Sequence, residues 1–171
     1  QLATTHQVTS DRLQAKLLLG DARQTIQTLQ ASGFQADAIF LDPFSPPTCP
    51  QLWTVEFLGY VARCMHKSGI LATYSCAASV RSALQAAGLK IGSTSPVGRR
   101  SPGTVASWHD SGLPSLSQEE REHLQTRAAI PYRDPQLCDP AEIICQRRVQ
   151  EQQTSCLEPT SRWRKRRSRD V

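Results

Sequence analysis

The sequence predicts an α/β sandwich built on a mostly parallel sheet that ends in an antiparallel hairpin. Short apolar runs that suit buried strands alternate along the chain with stretches whose apolar residues recur at helical spacing. Two further runs, at 89–94 and 103–108, flank a loop rich in proline and glycine, which is typical of an antiparallel pair. With 171 residues, 39% hydrophobic and 20% charged, the chain can form one globular core.

The individual elements follow from local signals. The run at 15–19 predicts a buried strand, and the next ten or so residues, 22–31, predict a helix that ends at a glycine. Residues 37–42 predict a second buried strand, whose continuous apolar character is typical of a sheet covered on both faces. The prolines that follow can continue neither a strand nor a helix. We also predict helices over 51–65, 77–87 and 117–127 and a strand over 70–74.

Positive charge is concentrated at the C-terminal end. Residues 1–160 hold 14 Lys and Arg against 14 Asp and Glu, so the net charge of +5 comes entirely from residues 161–171. Such a run is typical of a solvated tail, and it can also assist RNA binding through phosphate contacts. We expect residues 146–171 to form a basic, disordered tail.

Several classes of protein are not indicated. The six cysteines show neither a CxxC pair nor zinc-ligand spacing, and the four histidines are scattered, so we expect reduced thiols and no metal. The longest apolar runs are too short to cross a bilayer, and no signal segment is recognisable. These features predict a cytoplasmic protein with no membrane association.

Two acidic residues lie where a ligand is expected in such a sheet. Ligands of open α/β sheets bind at the carboxyl ends of the strands, and Asp21 and Asp42 each follow a predicted strand. Asp21 can accept a hydrogen bond from a nucleobase amine, or it can simply cap the following helix. Asp42 can accept the proton of an alkylammonium substrate before the amine reacts, or it can satisfy backbone groups of a turn. Phe44 offers a ring on which a base can stack.

The motifs around these residues resemble a known family. The stretch DAIFLDPFSPPTCPQLWTVEFLGYVARCMHKSGILATYSCAASVRSALQAAGLKIG, with LLLGDAR before it and GRRSPGTVAS and RAAIPYRDP after it, is similar to the MnmC/MnmD-like tRNA (5-methylaminomethyl-2-thiouridine) methyltransferases. The resemblance covers residues 16–143. It implies a Rossmann-like class I methyltransferase sheet and an enzyme that uses S-adenosyl-L-methionine to methylate the 5-aminomethyl group of the tRNA wobble uridine.

The resemblance also implies roles for individual residues. Asp21 and Ala22 correspond to the adenine-binding turn of the cofactor site. Asp42 corresponds to the acidic residue beside the reacting amine and the cofactor, and Pro43 and Phe44 to residues that shape the substrate pocket. Further candidates for substrate binding are Tyr74 and Ser75 at the end of the next strand and, as tRNA contacts, Arg99, Arg100 and Arg133.

The arginine candidates have simpler explanations as well. Arg99, Arg100 and Arg133 can instead serve the solubility of loops, and Arg81 can reach a phosphate or a carboxylate but is more typical of an exposed helix residue. We expect tRNA as the partner and infer no obligate protein partner.

The sequence departs from the family in one respect. A methyltransferase of this class carries a glycine-rich turn after its first strand and an acidic residue for the ribose after its second. No GxGxG turn occurs here, so we expect a sheet that is incomplete at its N-terminus, with residues 1–145 forming the C-terminal part of the domain. Two alternatives stay open: a methyltransferase acting on another amine, and a truncated, non-catalytic RNA-binding relative.

Overall fold

The computed structural model describes residues 2–96, 98 and 100–168. Strands and helices alternate through the first two thirds of the chain, and helices predominate after it. The strands are β1 (Gln7–Thr9), β2 (Gln14–Lys16), β3 (Ala36–Leu41), β4 (Met65–Thr73), β5 (Lys90–Thr94) and β6 (Gly103–Ser107). The helices are α1 (Leu2–Thr5), α2 (Ala22–Ala31), α3 (Val55–Arg63), α4 (Ala78–Ala86), α5 (Gln118–His123), α6 (Ala141–Thr154) and α7 (Thr160–Arg167).

The central sheet has four strands in the order β3-β4-β6-β5. Strands β3 and β4 are parallel, whereas β6 is antiparallel to both of its neighbours, β4 and β5. Three strands therefore run in one direction and β6 runs against them, which confirms the α/β class and the terminal hairpin. The carboxyl ends of β3 and β4 lie side by side at one edge.

The core lies between this sheet and helices α3 and α4. Trp53, Phe57, Leu58 and Leu71 are all between 0% and 4% exposed. The predicted helix over 51–65 is divided at Thr54: a 3-10 turn covers Pro50–Trp53, and α3 begins after it. The division occurs because the Thr54 hydroxyl accepts the Phe57 N–H and so caps a new helix.

The first predicted strand is wrong. Only Gln14–Lys16 forms a strand, and it pairs with β1 in a separate two-stranded hairpin rather than with the central sheet. The leucines that suggested burial are 37% to 63% exposed at positions 17–19. A local hairpin closes a short loop at little entropic cost, so β2 pairs with its neighbour in sequence.

Strand β3 forms as predicted but is not buried on both faces. It lies at the edge of the central sheet, and its Phe40 side chain is 85% exposed. Ile39 and Leu41 pack against the core, and no element within the described residues covers the side of the strand that carries Phe40. The apolar run therefore forms a strand with one packed face.

The expected disorder of residues 146–171 is also wrong for residues 146–168, whereas residues 169–171 lie outside the described part. Helix α6 buries Ile144 completely, and Arg148 donates hydrogen bonds to the carbonyls of Ile130 and Ala128. Helix α7 buries Trp163. The segment is ordered because Arg148 bonds to backbone carbonyls distant in sequence and because Trp163 is buried. Charge composition does not reveal either contact. The boundary that we predict at residue 145 stays a prediction.

Candidate active site

The loop that follows β3 is held in place through its backbone. Tyr74, just past β4, donates its hydroxyl hydrogen to the Pro43 carbonyl at 2.8 Å. Trp53 donates its indole N–H to the Phe44 carbonyl, also at 2.8 Å. The Trp53 and Tyr74 rings pack edge to face with their centroids 6.4 Å apart. Two aromatic side chains thus fix the loop against the carboxyl end of the sheet.

The Asp42 side chain lies beside an open cavity at this edge. The cavity has a volume of about 270 Å³ and is lined by Asp42, Tyr74, Phe40, Leu41, Ala72, Thr73, Thr94 and Thr104. Asp42 is exposed and forms no hydrogen bond or ion pair with the residues that the structure describes. This arrangement argues against a turn aspartate that satisfies backbone groups, and it leaves the carboxylate available to a ligand.

The two aromatic residues predicted to bind substrate, Phe44 and Tyr74, differ in what they offer a ligand. Phe44 is 77% exposed, because its backbone rather than its ring is anchored. The Tyr74 ring is partly buried, and its hydroxyl is occupied by Pro43. Phe44 therefore presents a free ring two positions from Asp42 but does not line the cavity, whereas the 85% exposed Phe40 does line it, and Tyr74 positions the loop.

Ser75 is a buried residue rather than an open contact. Ser75 is only 5% exposed. Its N–H donates to the Thr73 hydroxyl, and its carbonyl accepts a hydrogen bond from the Thr104 hydroxyl at 2.7 Å. Ser75 therefore ties β4 to β6 below the cavity.

Asp21 caps helix α2, as the simpler of its two interpretations predicts. Gly20 adopts a φ of 128°, a conformation that glycine tolerates, and turns the chain into the helix. The Asp21 carboxylate accepts the Arg23 backbone N–H at 2.9 Å and the Arg23 guanidinium at 2.8 Å. The side-chain hydrogen bond from Arg23 is the largest cause of the lowered pKa of Asp21. The Asp21 side chain is still 43% exposed, and Ala22 follows it as the first residue of the helix.

Sequence reasoning missed the partner that holds Asp21. The Arg23 guanidinium also donates to the fully buried carboxylate of Asp134 at 2.9 Å and to the Asp139 carbonyl at 2.8 Å. The other Asp134 oxygen accepts the backbone N–H groups of Cys138 and Asp139. Arg23 and Asp134 stand in two of the motifs that carry the family resemblance, LLLGDAR and RAAIPYRDP, and this was the available signal. Asp21 is not among the residues that line the Asp42 cavity.

Arg81 is not the exposed helix residue that its type suggests. It is only 2% exposed, and it donates hydrogen bonds to Thr104 at 3.0 Å and to Glu120 at 2.8 Å. Partial burial by itself raises the pKa of Glu120, but hydrogen bonds from Ser93, the Ser117 backbone and Arg81 outweigh it and lower that pKa to about 2. Arg81 therefore connects α4 to the sheet and to α5, and it is not free to bind a phosphate.

The remaining arginine candidates lie in different settings. Arg100 is exposed in the loop between β5 and β6, and Arg99 lies outside the described residues. Arg133 is 40% exposed and pairs with Glu151 at 3.2 Å. Neither Arg100 nor Arg133 lines the Asp42 cavity.

Comparison with known proteins identifies the family. A model of S-adenosyl-L-methionine-dependent methyltransferases matches residues 1–109, which is more than half of the chain. The chain belongs to this methyltransferase family. The cofactor named in the family description agrees with the one that the motifs imply.

Individual relatives resemble this chain over most of its length. The methyltransferase chain is similar to the crystal structure of MnmC2 from Aquifex aeolicus, with a TM-score of 0.82 and 34% identity over 90% of this chain and 50% of that one. It is 35% identical to protein MJ0670 of Methanocaldococcus jannaschii, over 75% of this chain and 36% of that protein. It is 30% identical to the tRNA 5-methylaminomethyl-2-thiouridine biosynthesis bifunctional protein MnmC of Pseudomonas putida, over 71% of this chain and 20% of that protein. The chain thus spans half or less of each of these relatives.

Two kinds of feature are absent from the described residues. No helix among them has the length and apolar character needed to cross a membrane. Within the same residues, no three His, Cys, Asp or Glu side chains are grouped in a way that could hold a metal ion.

Proposed function

We propose that these residues form part of an S-adenosyl-L-methionine-dependent methyltransferase that methylates the 5-aminomethyl group of the tRNA wobble uridine. The observation that carries the proposal is the exposed carboxylate of Asp42, which has no partner among the described residues, on a loop that Tyr74 and Trp53 hold rigid. The names of the MnmC relatives supply the class of substrate. Action on tRNA would place the protein in the cytoplasm.

Asp42 suits the chemistry of an amine acceptor. An alkylamine is largely protonated near neutral pH, and only the free lone pair can attack a methyl group. A carboxylate beside the substrate orients the ammonium group through a charge-assisted hydrogen bond and accepts its proton. Because Asp42 forms no bond with the described residues, its oxygens are available for both tasks.

The neighbouring residues suit a nucleobase. Phe44 offers an exposed ring on which a base can stack, and Pro43 holds the start of the loop through its carbonyl contact with Tyr74. Ser75 acts from below the cavity by fixing β4 to β6. Arg100 is exposed and can contact the RNA backbone, which binds cations through its phosphates, and Arg99 stays a contact predicted from the sequence.

The turn at Asp21 fits the adenine end of the cofactor. Arg23 donates to both Asp21 oxygens through its backbone N–H, its shared Nε–H and its Nη2–H, so an adenine amine would share the 43% exposed carboxylate with Arg23. Ala22, beside it, is partly buried and packs against the core. S-Adenosyl-L-methionine, when bound, supplies the electrophilic methyl group.

The test compares two conservative variants in the natural polypeptide that contains these residues. Asp42→Asn keeps the shape of the side chain but removes the base, whereas Asp37→Asn makes the same change at a 93% exposed carboxylate on β3. We expect methyl transfer from radiolabelled S-adenosyl-L-methionine to tRNA carrying 5-aminomethyluridine to fall by about 10²–10⁴-fold in Asp42→Asn. Asp37→Asn should retain the wild-type rate.

Each contrary outcome has a definite meaning. Wild-type turnover by Asp42→Asn would refute the role of Asp42. Cofactor binding measured by calorimetry, without methylation of this tRNA, would favour a methyltransferase acting on another amine. If neither cofactor binding nor methylation is found, the non-catalytic RNA-binding alternative is the better description.

A further inference from the structure

Helix α7 is the most basic element of the described chain, and it is anchored to the body of the protein. Its Trp163 is only 5% exposed, and the indole N–H donates to the Glu122 carboxylate at 3.2 Å. The indole ring also stacks on the ring of His123, with centroids 4.7 Å apart and planes 9° from parallel. The helix is therefore held in a fixed position against α5.

The positive charges of α7 divide into two groups. Arg166 pairs with Glu158 at 3.1 Å, and Arg167 pairs with Glu119 at 3.1 Å, so both help to anchor the helix. A second group, which we call the free cations, is exposed and has no acidic partner among the described residues. The free cations are Arg162, Arg164 and Lys165. Arg162 and Lys165 are three positions apart and so are neighbours on the helix surface.

A cavity joins α7 to the carboxyl end of β4. It has a volume of about 570 Å³, and its lining includes Trp163 and His123 on one side and Cys76 and Ala77 on the other. Cys76 and Ala77 directly follow Ser75, at the end of the strand that carries the Tyr74 contact. This cavity shares no lining residue with the one beside Asp42, but the two adjoin the same segment of chain, which lines one with Tyr74 and the other with Cys76.

We propose that α7 is a docking helix for RNA, in which the free cations bind phosphates of the tRNA backbone. The proposal rests on the proposed function for the identity of the RNA and adds the surface that binds it. Phosphate contacts require exposed cations whose charge no carboxylate neutralises, and three such residues stand on one rigid helix. A membrane surface is disfavoured, because a helix that lies on a membrane needs an exposed apolar face and the Trp163 side chain is buried.

The experiment measures the affinity for fluorescently labelled tRNA by anisotropy over a series of salt concentrations. The test variant is Arg162→Gln/Arg164→Gln/Lys165→Gln. The matched control is Arg12→Gln/Lys16→Gln/Lys67→Gln, which removes the same charge from exposed positions in the β1–β2 hairpin and at the start of β4. A second variant, Arg162→Lys/Arg164→Lys, keeps the charge of the helix. Tryptophan fluorescence and circular dichroism verify that each variant is folded.

We expect the test variant to bind tRNA roughly 10-fold or more weakly and to lower the slope of log affinity against log salt by about 2–3. The control and the lysine variant should stay within about twofold of the wild type, because phosphate binding needs the charge at this position rather than the guanidinium itself. An equal loss in the test and control variants, or no loss in either, would overturn the proposal. Preferential binding of the wild type to phosphatidylserine vesicles rather than tRNA would overturn it as well.

A parallel assay of methyl transfer separates this proposal from the proposed function. The test variant should raise the KM for tRNA and leave kcat unchanged, since the free cations lie outside the Asp42 cavity. Loss of tRNA binding in the test variant, with no methyl transfer by the wild type, would support the docking helix and refute the proposed activity. If the wild type and the test variant transfer methyl groups with the same KM for tRNA, the result would support the proposed activity and refute the docking helix.

Discussion

Replacing Arg81 by methionine is expected to destabilise the protein far more than the loss of a surface arginine would. The Arg81 side chain is 2% exposed, and its guanidinium contacts the Glu120 carboxylate at 2.8 Å and the Thr104 hydroxyl at 3.0 Å. Glu120 also accepts the Ser93 hydroxyl at 2.6 Å and the Ser117 backbone N–H at 2.8 Å. Methionine fills much of the same volume, so the change removes the charge and leaves only a small cavity.

The magnitude follows from the burial of the pair. Removing one partner of a fully buried ion pair costs about 3–5 kcal/mol, because the other charge is left without compensation. The Glu120 side chain is 16% exposed, so water relieves part of this cost. We therefore expect Arg81→Met to lower the free energy of unfolding by about 2–4 kcal/mol. The corresponding fall in Tm is roughly 4–16 °C for a chain of this size.

The assay is urea denaturation followed by tryptophan fluorescence and circular dichroism. Arg12→Met, at an exposed arginine without described contacts, is the control and should change stability by less than about 0.5 kcal/mol. A double-mutant cycle with Glu120→Gln should give a coupling of about 1–3 kcal/mol, as residues in direct contact do. A cost below about 1 kcal/mol for Arg81→Met would refute the reasoning, since that is the range of an exposed position.

Two further predictions concern pH and the loop of the site. The folded-state pKa of Glu120 is lowered from 4.5 to about 2, so the stability it contributes is present above pH 4.5 and is lost as the pH falls towards 2. At roughly 1.4 kcal/mol per pKa unit, this loss is about 3 kcal/mol, and urea titrations over this range should show a smaller loss in Glu120→Gln than in the wild type. In Trp53→Phe, loss of the N–H bond to the Phe44 carbonyl should cost about 1–3 kcal/mol and speed hydrogen exchange over residues 43–49; unchanged exchange would contradict the anchoring role.

Local signals in the sequence were enough to predict most of the elements. The helix predicted over 22–31 coincides with α2, because the Asp21 cap, the helical spacing and the terminal glycine all act within a few residues. The hairpin of β5 and β6 followed from two β-prone runs around a proline-rich loop. The motif around Asp42 also identified the methyltransferase family, because a short motif keeps its order in the chain whatever surrounds it.

Sequence periodicity could not indicate which surfaces would be covered. The apolar runs at 15–19 and 37–42 both suggested buried strands, yet one forms part of a separate hairpin and the other lies at a sheet edge with Phe40 exposed. Periodicity reports the conformation that a segment prefers, whereas burial depends on which other segments pack on it. The order of the basic helix α7 could not be predicted for the same reason, since Trp163 anchors the helix to α5 rather than to its neighbours in sequence.

By itself, the sequence determined the α/β class, the position of α2 and the hairpin, and the family, and it predicted Asp42 as the leading site residue. Only the tertiary structure decided the partners of the buried charges. Arg23 meets Asp134 across 111 positions, and Arg81 meets Glu120 across 39. A charged side chain looks the same in sequence whether it will be solvated or buried, because the partner that makes burial possible is brought to it only when the chain folds.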